Sequence, residues 1–278
     1  VSKRLSGWRD DWRRARWLGP LVRERRRFML NEALRRGGLH EYRLASHDAT
    51  IVLRHNGYDA HVLHEVMRDE FYSPPAAVRE LLSSRDGTLR ALDLGGNIGC
   101  FGLLVLEMYP SAVLTAFEPD PSNLEVLKRC IARNGYEGRW QVVEACAAAA
   151  DGETSFVGGQ AALSRIPLPG DVTGDAPTLT VPMVDVFPYV TGVDLVKIDI
   201  EGGEWALLND PRFDAAHPGA ILLEWHSYDC PGDNPRRVAA QRLEALGYTV
   251  LHEKPAPVPD SEPLYGAGTL WAWRGEEA

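Results

Sequence analysis

The sequence predicts an α/β protein built on a mostly parallel sheet, and three observations predict it. From residue 89 onward, short apolar runs alternate with helical stretches. Two of those runs turn through glycine directly into a helix: ALDLGGNIG at 91–99 and VKIDIEGGEW at 196–205. Acidic and basic side chains gather at the ends of successive apolar runs, Asp93, Glu118, Asp199, Glu224 and His226. Those ends form the carboxyl edge of a parallel sheet, where such sheets bind ligands.

Residues 8–36 read as one or two helices, with Trp8, Trp12, Leu18, Val22, Phe28, Met29 and Leu34 spaced among arginines and a break at Gly19 and Pro20. YRLASHDATIVLRH, 42–55, alternates as a hairpin turning near His47 and Asp48. Asp59 is placed to cap the next helix, which stops before Pro74 and Pro75, and a short helix follows from Ala76 to Ser83. This front section, 1–88, is read as a helical and β-hairpin cap over a domain spanning 89–278. Phe71 and Tyr72 are candidates to close over a ligand. His61 and His64 lack a third metal ligand and read as ordinary surface or core histidines.

In the second section the order is strand 89–94, helix 101–109, strand 113–117, helix 122–134 and strand 140–144. Pro121 with Ser122 starts the second helix, and Asn134 with Gly135 ends it. Residues 157–178, rich in Gly, Pro, Ala and Ser, read as a mobile loop or lid. TLTVPMVDVF reads as a strand. It is followed by the strand 193–199, the strand 220–226, a helix Pro235–Leu246, a strand 248–252 and a final run GTLWAWR, read as an antiparallel edge hairpin.

The glycine turn excludes one ligand class. A dinucleotide GxGxxG beginning at Gly95 needs glycine at 97 and 100, where Asn97 and Cys100 stand. Asp93, Gly95, Asn97 and Gly99 at alternate positions offer a carboxylate and small or amide residues, a pattern suited to a cationic ligand. Glu118, nineteen residues after Gly99, ends the next strand, and a carboxylate there can accept from both hydroxyls of a ribose. Small residues around Cys146 and Ala147 leave room for a flat ring against backbone; a tightly packed strand end explains them equally well. Lys197 and Asp199 share strand parity and should form a pair, functional or structural. Glu224 and His226, two apart, share a face, and His226 is the best candidate for a general base. Asp199, Glu201, Glu224 and His226 are also oxygen and nitrogen donors suited to Mg²⁺. No Asp-Asn pair follows the last of these strands, and no metal is assigned.

With 278 residues and 45% apolar content the chain can bury one large core plus an appendage. Four scattered cysteines with no CxxC pair read as reduced thiols, and neither a long apolar run nor a signal-type leader is visible, so a cytoplasmic protein without a membrane partner is expected. The net charge of −9 is unevenly spread: residues 1–43 hold 13 Lys or Arg against 5 Asp or Glu, or +8, leaving −17 for the rest. A basic section docking on its own acidic body or on a sister subunit is favoured over nucleic acid, because the body repels phosphate.

Taken together, the stretches ALDLGGNIG, AFEPDP, 145–156, TLTVPMVDV, DLVKIDIEGGEW and ILLEWH resemble the FkbM family of methyltransferases over roughly residues 89–274. DLVKIDIEGGE is the most specific of them, and the glycine loop resembles motif I of class I S-adenosylmethionine methyltransferases. The resemblance implies a Rossmann-like class I fold, with a mostly parallel seven-stranded sheet whose last strand is antiparallel. It also implies S-adenosyl-L-methionine as cofactor, held by Asp93, Gly95, Asn97, Gly99, Glu118, Cys146, Ala147 and Asp199. The expected reaction is methyl transfer to a hydroxyl of a small molecule, as in natural product or glycan biosynthesis. His226 would be the base, Asp199 or Glu224 would orient it, and Lys197 would orient Asp199 or the acceptor. Tyr72, Glu201 and His226 would meet the acceptor. Transfer to nitrogen or carbon, nucleic-acid methylation and a non-catalytic scaffold are the rivals.

Overall fold

The structure is a computed structural model that describes residues 15–68, 72–158, 178–252 and 266–275. The stretch before residue 15, Phe71 and most of the 157–178 loop lie outside the described residues. The front section supplies helix α1 (Arg25–Ala33), strands β1 (His40–Arg43) and β2 (Thr50–Leu53), and helices α2 (Asp59–Arg68) and α3 (Ala76–Ser83). β1 and β2 form the expected antiparallel hairpin, Arg43 facing Thr50 across the turn.

The second section begins with β3 (Arg90–Leu94), α4 (Cys100–Met108), β4 (Val113–Phe117), α5 (Pro121–Asn134) and β5 (Trp140–Val143). It continues with β6 (Cys146–Ala148), β7 (Gly152–Val157), β8 (Thr178–Asp185), α6 (Phe187–Val190), β9 (Leu195–Ile198), α7 (Glu204–Leu208) and α8 (Pro211–Ala216). β10 (Ala220–His226), α9 (Pro235–Ala245), β11 (Thr249–His252) and β12 (Ala267–Trp273) complete it. Helix boundaries follow their capping residues. The Asp120 side chain accepts from the Ser122 backbone N–H, Pro121 opens α5, and Gly135 ends it in the left-handed conformation.

The main sheet runs β11-β12-β10-β9-β3-β4-β5, with β3, β4, β5, β9 and β10 parallel and β12 antiparallel to both of its neighbours. It is the predicted mostly parallel seven-stranded sheet. One detail differs: β12 is inserted between β10 and β11, so the edge belongs to β11. The inserted strand is the more apolar one, with Leu270, Trp271 and Ala272 buried. β9, LVKI, is buried at all four positions, as a central parallel strand covered on both faces must be.

β8, predicted as a strand, does not join this sheet. It forms a separate three-stranded sheet, ordered β6-β8-β7. Only Val181 of its eight residues is buried, so it cannot sit in the apolar middle of the main sheet.

The front section shares its core with the second. Leu18, Phe28, Tyr42 and Ile51 belong to the same apolar cluster as Leu103, Leu106, Leu127 and Ile131. Among the described residues, ion pairs also cross the junction. Glu41 of β1 pairs with Arg129 and Arg133 of α5, whereas Arg43 pairs with Glu24 of its own section. Asp59 also departs from its expected capping role. Its carboxylate, 0% exposed, accepts from the Arg54 backbone N–H and from Nε and one terminal nitrogen along one edge of the Arg54 guanidinium.

Gly95 is fixed by two demands at once. Its φ is +89°, and a Cβ there would lie 1.9 Å from the Asp199 carbonyl oxygen. Gly95→Ala is therefore expected to lose well over the ~1 kcal/mol that left-handed backbone strain alone costs. Gly135→Ala, also at positive φ but with open space around it, should lose only that smaller amount. Urea unfolding of the two variants checks the difference.

Candidate active site

The site lies at the carboxyl edge of the main sheet and has two adjoining cavities. The first is a cleft of about 630 Å³, open to solvent, and is lined by Glu118, Asn123, Cys146, Ala147, Phe117 and Phe156, among others. The second, about 490 Å³, lies beneath the front section and is lined by Glu65 and Val66 of α2, Tyr72, Phe101, Lys197 and Glu224. Gly95, Asn97, Asp199 and Glu201 line both.

Glu118 follows β4 and is held from behind. Its Oε2 accepts from the Asn97 backbone N–H at 2.7 Å, and its Oε1 accepts from the Asp120 backbone N–H at 2.8 Å. Burial raises its pKa to about 7, against the pull of those donors. Asn97 contributes through its backbone, turning at φ 48° so that its N–H meets Glu118. Gly95 and Gly99 both turn at positive φ, and the absence of a Cβ also serves packing. At Gly95 the space is filled by the Asp199 carbonyl, and at Gly99 by Leu127 and Trp140, so the glycines permit packing between turns and helices.

Asp93, expected to hold the cofactor, is not among the residues lining either cavity. It is 0% exposed and pairs with Lys197 Nζ at 3.3 Å. Burial raises its pKa to about 6, only partly offset by the ammonium. Lys197 in turn pairs with Asp199 at 3.1 Å and donates to the Gly95 carbonyl at 2.9 Å. Its ammonium lies among two carboxylates and a carbonyl while also lining the second cavity. The predicted Lys197–Asp199 pair is thus one side of a buried triad.

The cluster at the ends of β9 and β10 was only half visible in the sequence. Glu204, which the sequence reading missed, is 0% exposed. It accepts from the backbone N–H groups of Ile200 and Gly202, both at 2.9 Å, and lies 3.0 Å from His226 Nδ1. His226 Nε2 faces Glu201 at 3.5 Å, and Tyr228 stacks on the ring while donating to Glu201 at 2.5 Å. Burial opposes the imidazolium, but the hydrogen bond and charge of Glu204, with Glu201 and Asp199, raise the His226 pKa to about 10. A ring held as imidazolium has no free nitrogen lone pair with which to take a proton.

Glu224 has the better-placed pKa. Desolvation and the Asp199 charge raise it to about 8, although Tyr72 donates to it at 2.9 Å. The Tyr72 hydroxyl is pushed well above its usual value by the same burial and by the Glu224 charge. Donor atoms of Asp199, Glu224 and His226 come within 4.8 Å of one another, a spacing that a divalent cation could use. The Lys197 ammonium beside Asp199 and the imidazolium form of His226 oppose such a cation by placing positive charge there already.

Three contributors were illegible in the sequence. Asn123 touches Glu118 from α5, Phe156 reaches the first cavity from the separate small sheet, and Glu65 reaches the second from the front section. Only Glu65 left a trace, since Val62, Glu65 and Val66 share one helical face. His64 is buried and stacks on Trp17, as an ordinary core histidine does.

The strand order, the antiparallel inserted strand and the cleft at the carboxyl edge define a Rossmann-like class I methyltransferase. Residues 93–250 match the family model described as the methyltransferase FkbM domain, and the chain belongs to that family. It is an S-adenosylmethionine-dependent methyltransferase. A protein of Beauveria bassiana (strain ARSEF 2860) named Methyltransferase 1 is 26% identical over 207 residues, covering 63% of this chain and 78% of that one. Among solved structures, M. jannaschii TYW2 in complex with AdoMet is 10% identical, with a TM-score of 0.43, covering 86% of this chain and 88% of that one. An S-adenosylmethionine-dependent O-methyltransferase from Thermotoga maritima is 14% identical, with a TM-score of 0.41, covering 90% of this chain and 82% of that one. Among the described residues, no helix is long and apolar enough to cross a membrane.

The raised pKa values fix how stability responds to pH in the ligand-free protein. A carboxyl whose pKa is raised on folding holds its proton more tightly in the folded state, so stability falls as pH climbs from the unfolded value to the folded one. For Glu118 that window ends near about 7 and for Glu224 near about 8. The His226 contribution is fully present below the unfolded value of 6.5 and is lost as pH rises through about 10. All three act in one direction, so the melting temperature is expected to fall steadily from about pH 5 to about pH 10. A flat or rising profile in thermal melts would contradict these assignments.

Proposed function

We propose that the protein transfers a methyl group from S-adenosyl-L-methionine to a hydroxyl of a small, uncharged or cationic molecule. The observation that carries this reading is the pair of adjoining cavities: one has a carboxylate braced by two backbone N–H groups, and the other a carboxylate with a pKa near neutrality.

The first cavity fits the cofactor. Glu118 keeps accepting capacity for the two ribose hydroxyls, and Cys146, Ala147, Phe117 and Phe156 supply small and flat apolar walls for adenine. The 95–99 turn and Asp199 would meet the amino acid part, where an excess of carboxylates over cations suits a ligand bearing sulfonium and ammonium charge. When bound, the cofactor supplies an already activated methyl group. The protein's share is to hold the acceptor in line and to take up its proton.

Glu224 is the proton acceptor in this reading. In its ionised form it takes the hydroxyl proton, while Tyr72 fixes one of its oxygens and Asp199 keeps its basicity high. His226, held as imidazolium by Glu204 and Glu201, balances the acidic cluster. The acceptor cavity carries Glu65, Asp199, Glu201 and Glu224 against the single, fully paired Lys197, which disfavours phosphate-bearing acceptors, nucleic acid included.

Glu224→Gln is expected to lower kcat about 100-fold on a hydroxyl acceptor, leaving the KM for the cofactor unchanged. Acceptors are found by screening sugar and phenolic hydroxyls with methyl-labelled cofactor. The wild-type kcat/KM should rise with pH up to about 8, and the variant should lose that limb. If His226→Gln removes the limb and Glu224→Gln keeps it, the histidine is the base after all. Glu118→Ala should raise the Kd for S-adenosylhomocysteine at least tenfold in calorimetry, and unchanged affinity would reject the cofactor pose.

A further inference from the structure

We propose that Arg54, at the end of the N-terminal hairpin and lining neither cavity, is a positioning residue for the cofactor ribose, acting through Asn123 on Glu118. The inference rests on the reading of Glu118 as the ribose ligand and extends it to the front section.

The geometry is a relay of four side chains. Asp59, fully buried, fixes the guanidinium from one side: Oδ2 accepts from Nε at 2.8 Å and Oδ1 from one terminal nitrogen at 2.9 Å. That terminal nitrogen also donates to Asn123 Oδ1 at 2.8 Å, and the other terminal nitrogen donates to the Ser122 carbonyl at 3.1 Å. Asn123 is 1% exposed, and its Nδ2 faces Glu118 Oε1 at 3.4 Å.

Donor chemistry sets the direction of the relay. A guanidinium has no acceptor, so the Asn123 amide must turn its oxygen to Arg54 and therefore its N–H₂ to Glu118. Without Arg54 the Asn123 oxygen loses its charged donor, and the amide can tilt out of line with Glu118 Oε1 and loosen its hold on the carboxylate. Asp59 neutralises the guanidinium locally, so what passes along the relay is orientation more than charge. The planar fork is required. A lysine pairs with Asp59 as a point charge but cannot hold Asp59, Ser122 and Asn123 together.

The test compares S-adenosylhomocysteine with its 2′,3′-dideoxyribose analogue by calorimetry on the full chain, with thermal melts confirming folding. Arg54→Lys is expected to weaken S-adenosylhomocysteine about tenfold and leave the dideoxy analogue unchanged, so discrimination between the two shrinks. Asn123→Ala should do the same, and the double variant should be no worse than either single one, because both remove the same relay. Equal weakening of both ligands, or no weakening, overturns the proposal, since a merely structural role does not distinguish the two riboses. If Arg54→Lys does not fold, Asn123→Ala decides: lost discrimination supports the relay, and retained discrimination overturns it. Glu118→Ala separates the two levels of inference. If it leaves discrimination intact, the ribose assignment falls and the relay with it; if it abolishes discrimination while Arg54→Lys does not, the relay alone falls.

Discussion

Lys197 is the group on which the centre of the sheet depends. Its ammonium is buried in β9 and ties the neighbouring β3, through Asp93 and the Gly95 carbonyl, to the loop that begins at Asp199. Two carboxylates and a carbonyl are what such a charge needs in a low-dielectric interior. Removing one partner from a buried pair typically costs about 3–5 kcal/mol. The same triad fixes the approach of the two glycine turns, because the Asp199 carbonyl occupies the space where a side chain at Gly95 would project. Cavity shape and sheet stability therefore rest on one interaction.

Around that triad the site is an acidic environment with its charges sorted by burial and partner. Glu204, satisfied by two backbone N–H groups, lies against His226 and raises its proton affinity. Glu224, with a hydroxyl donor and a neighbouring Asp199, is left close to neutrality. In the proposed mechanism the histidine acts as a cation, and the carboxylate two residues before it in β10 takes the titratable role. Neighbouring environments have separated groups of similar reach into different functions.

The front section is part of this arrangement. It closes the second cavity with α2 and Tyr72, shares an apolar cluster with α4 and α5, and sends Arg54 to the start of α5. Ion pairs across the junction run from acidic Glu41 to basic Arg129 and Arg133, against the overall charge asymmetry of the chain. Net charge over forty residues describes long-range fields, whereas contacts are decided residue by residue.

The sequence alone determined the alternation of strands and helices, their capping, the parallel sheet and the family, because apolar period and glycine turns are local signals. It also brought Glu118, Asp199, Glu201, Glu224 and His226 to one sheet edge, since residues at the carboxyl ends of parallel strands must meet there. Tertiary structure alone decided which of them face a cavity. Asp93 and Glu118 look equivalent in the sequence, yet one is consumed by Lys197 and the other opens to the cleft. Strand order likewise decided that β12 lies inside β11 and that β8 leaves the main sheet. Glu204, Asn123 and Arg54 escaped notice for the same reason: their partners lie 22, 5 and 69 residues away. Proton affinity depends on burial and on charges that the chain brings together only by folding, so no local pattern encodes it.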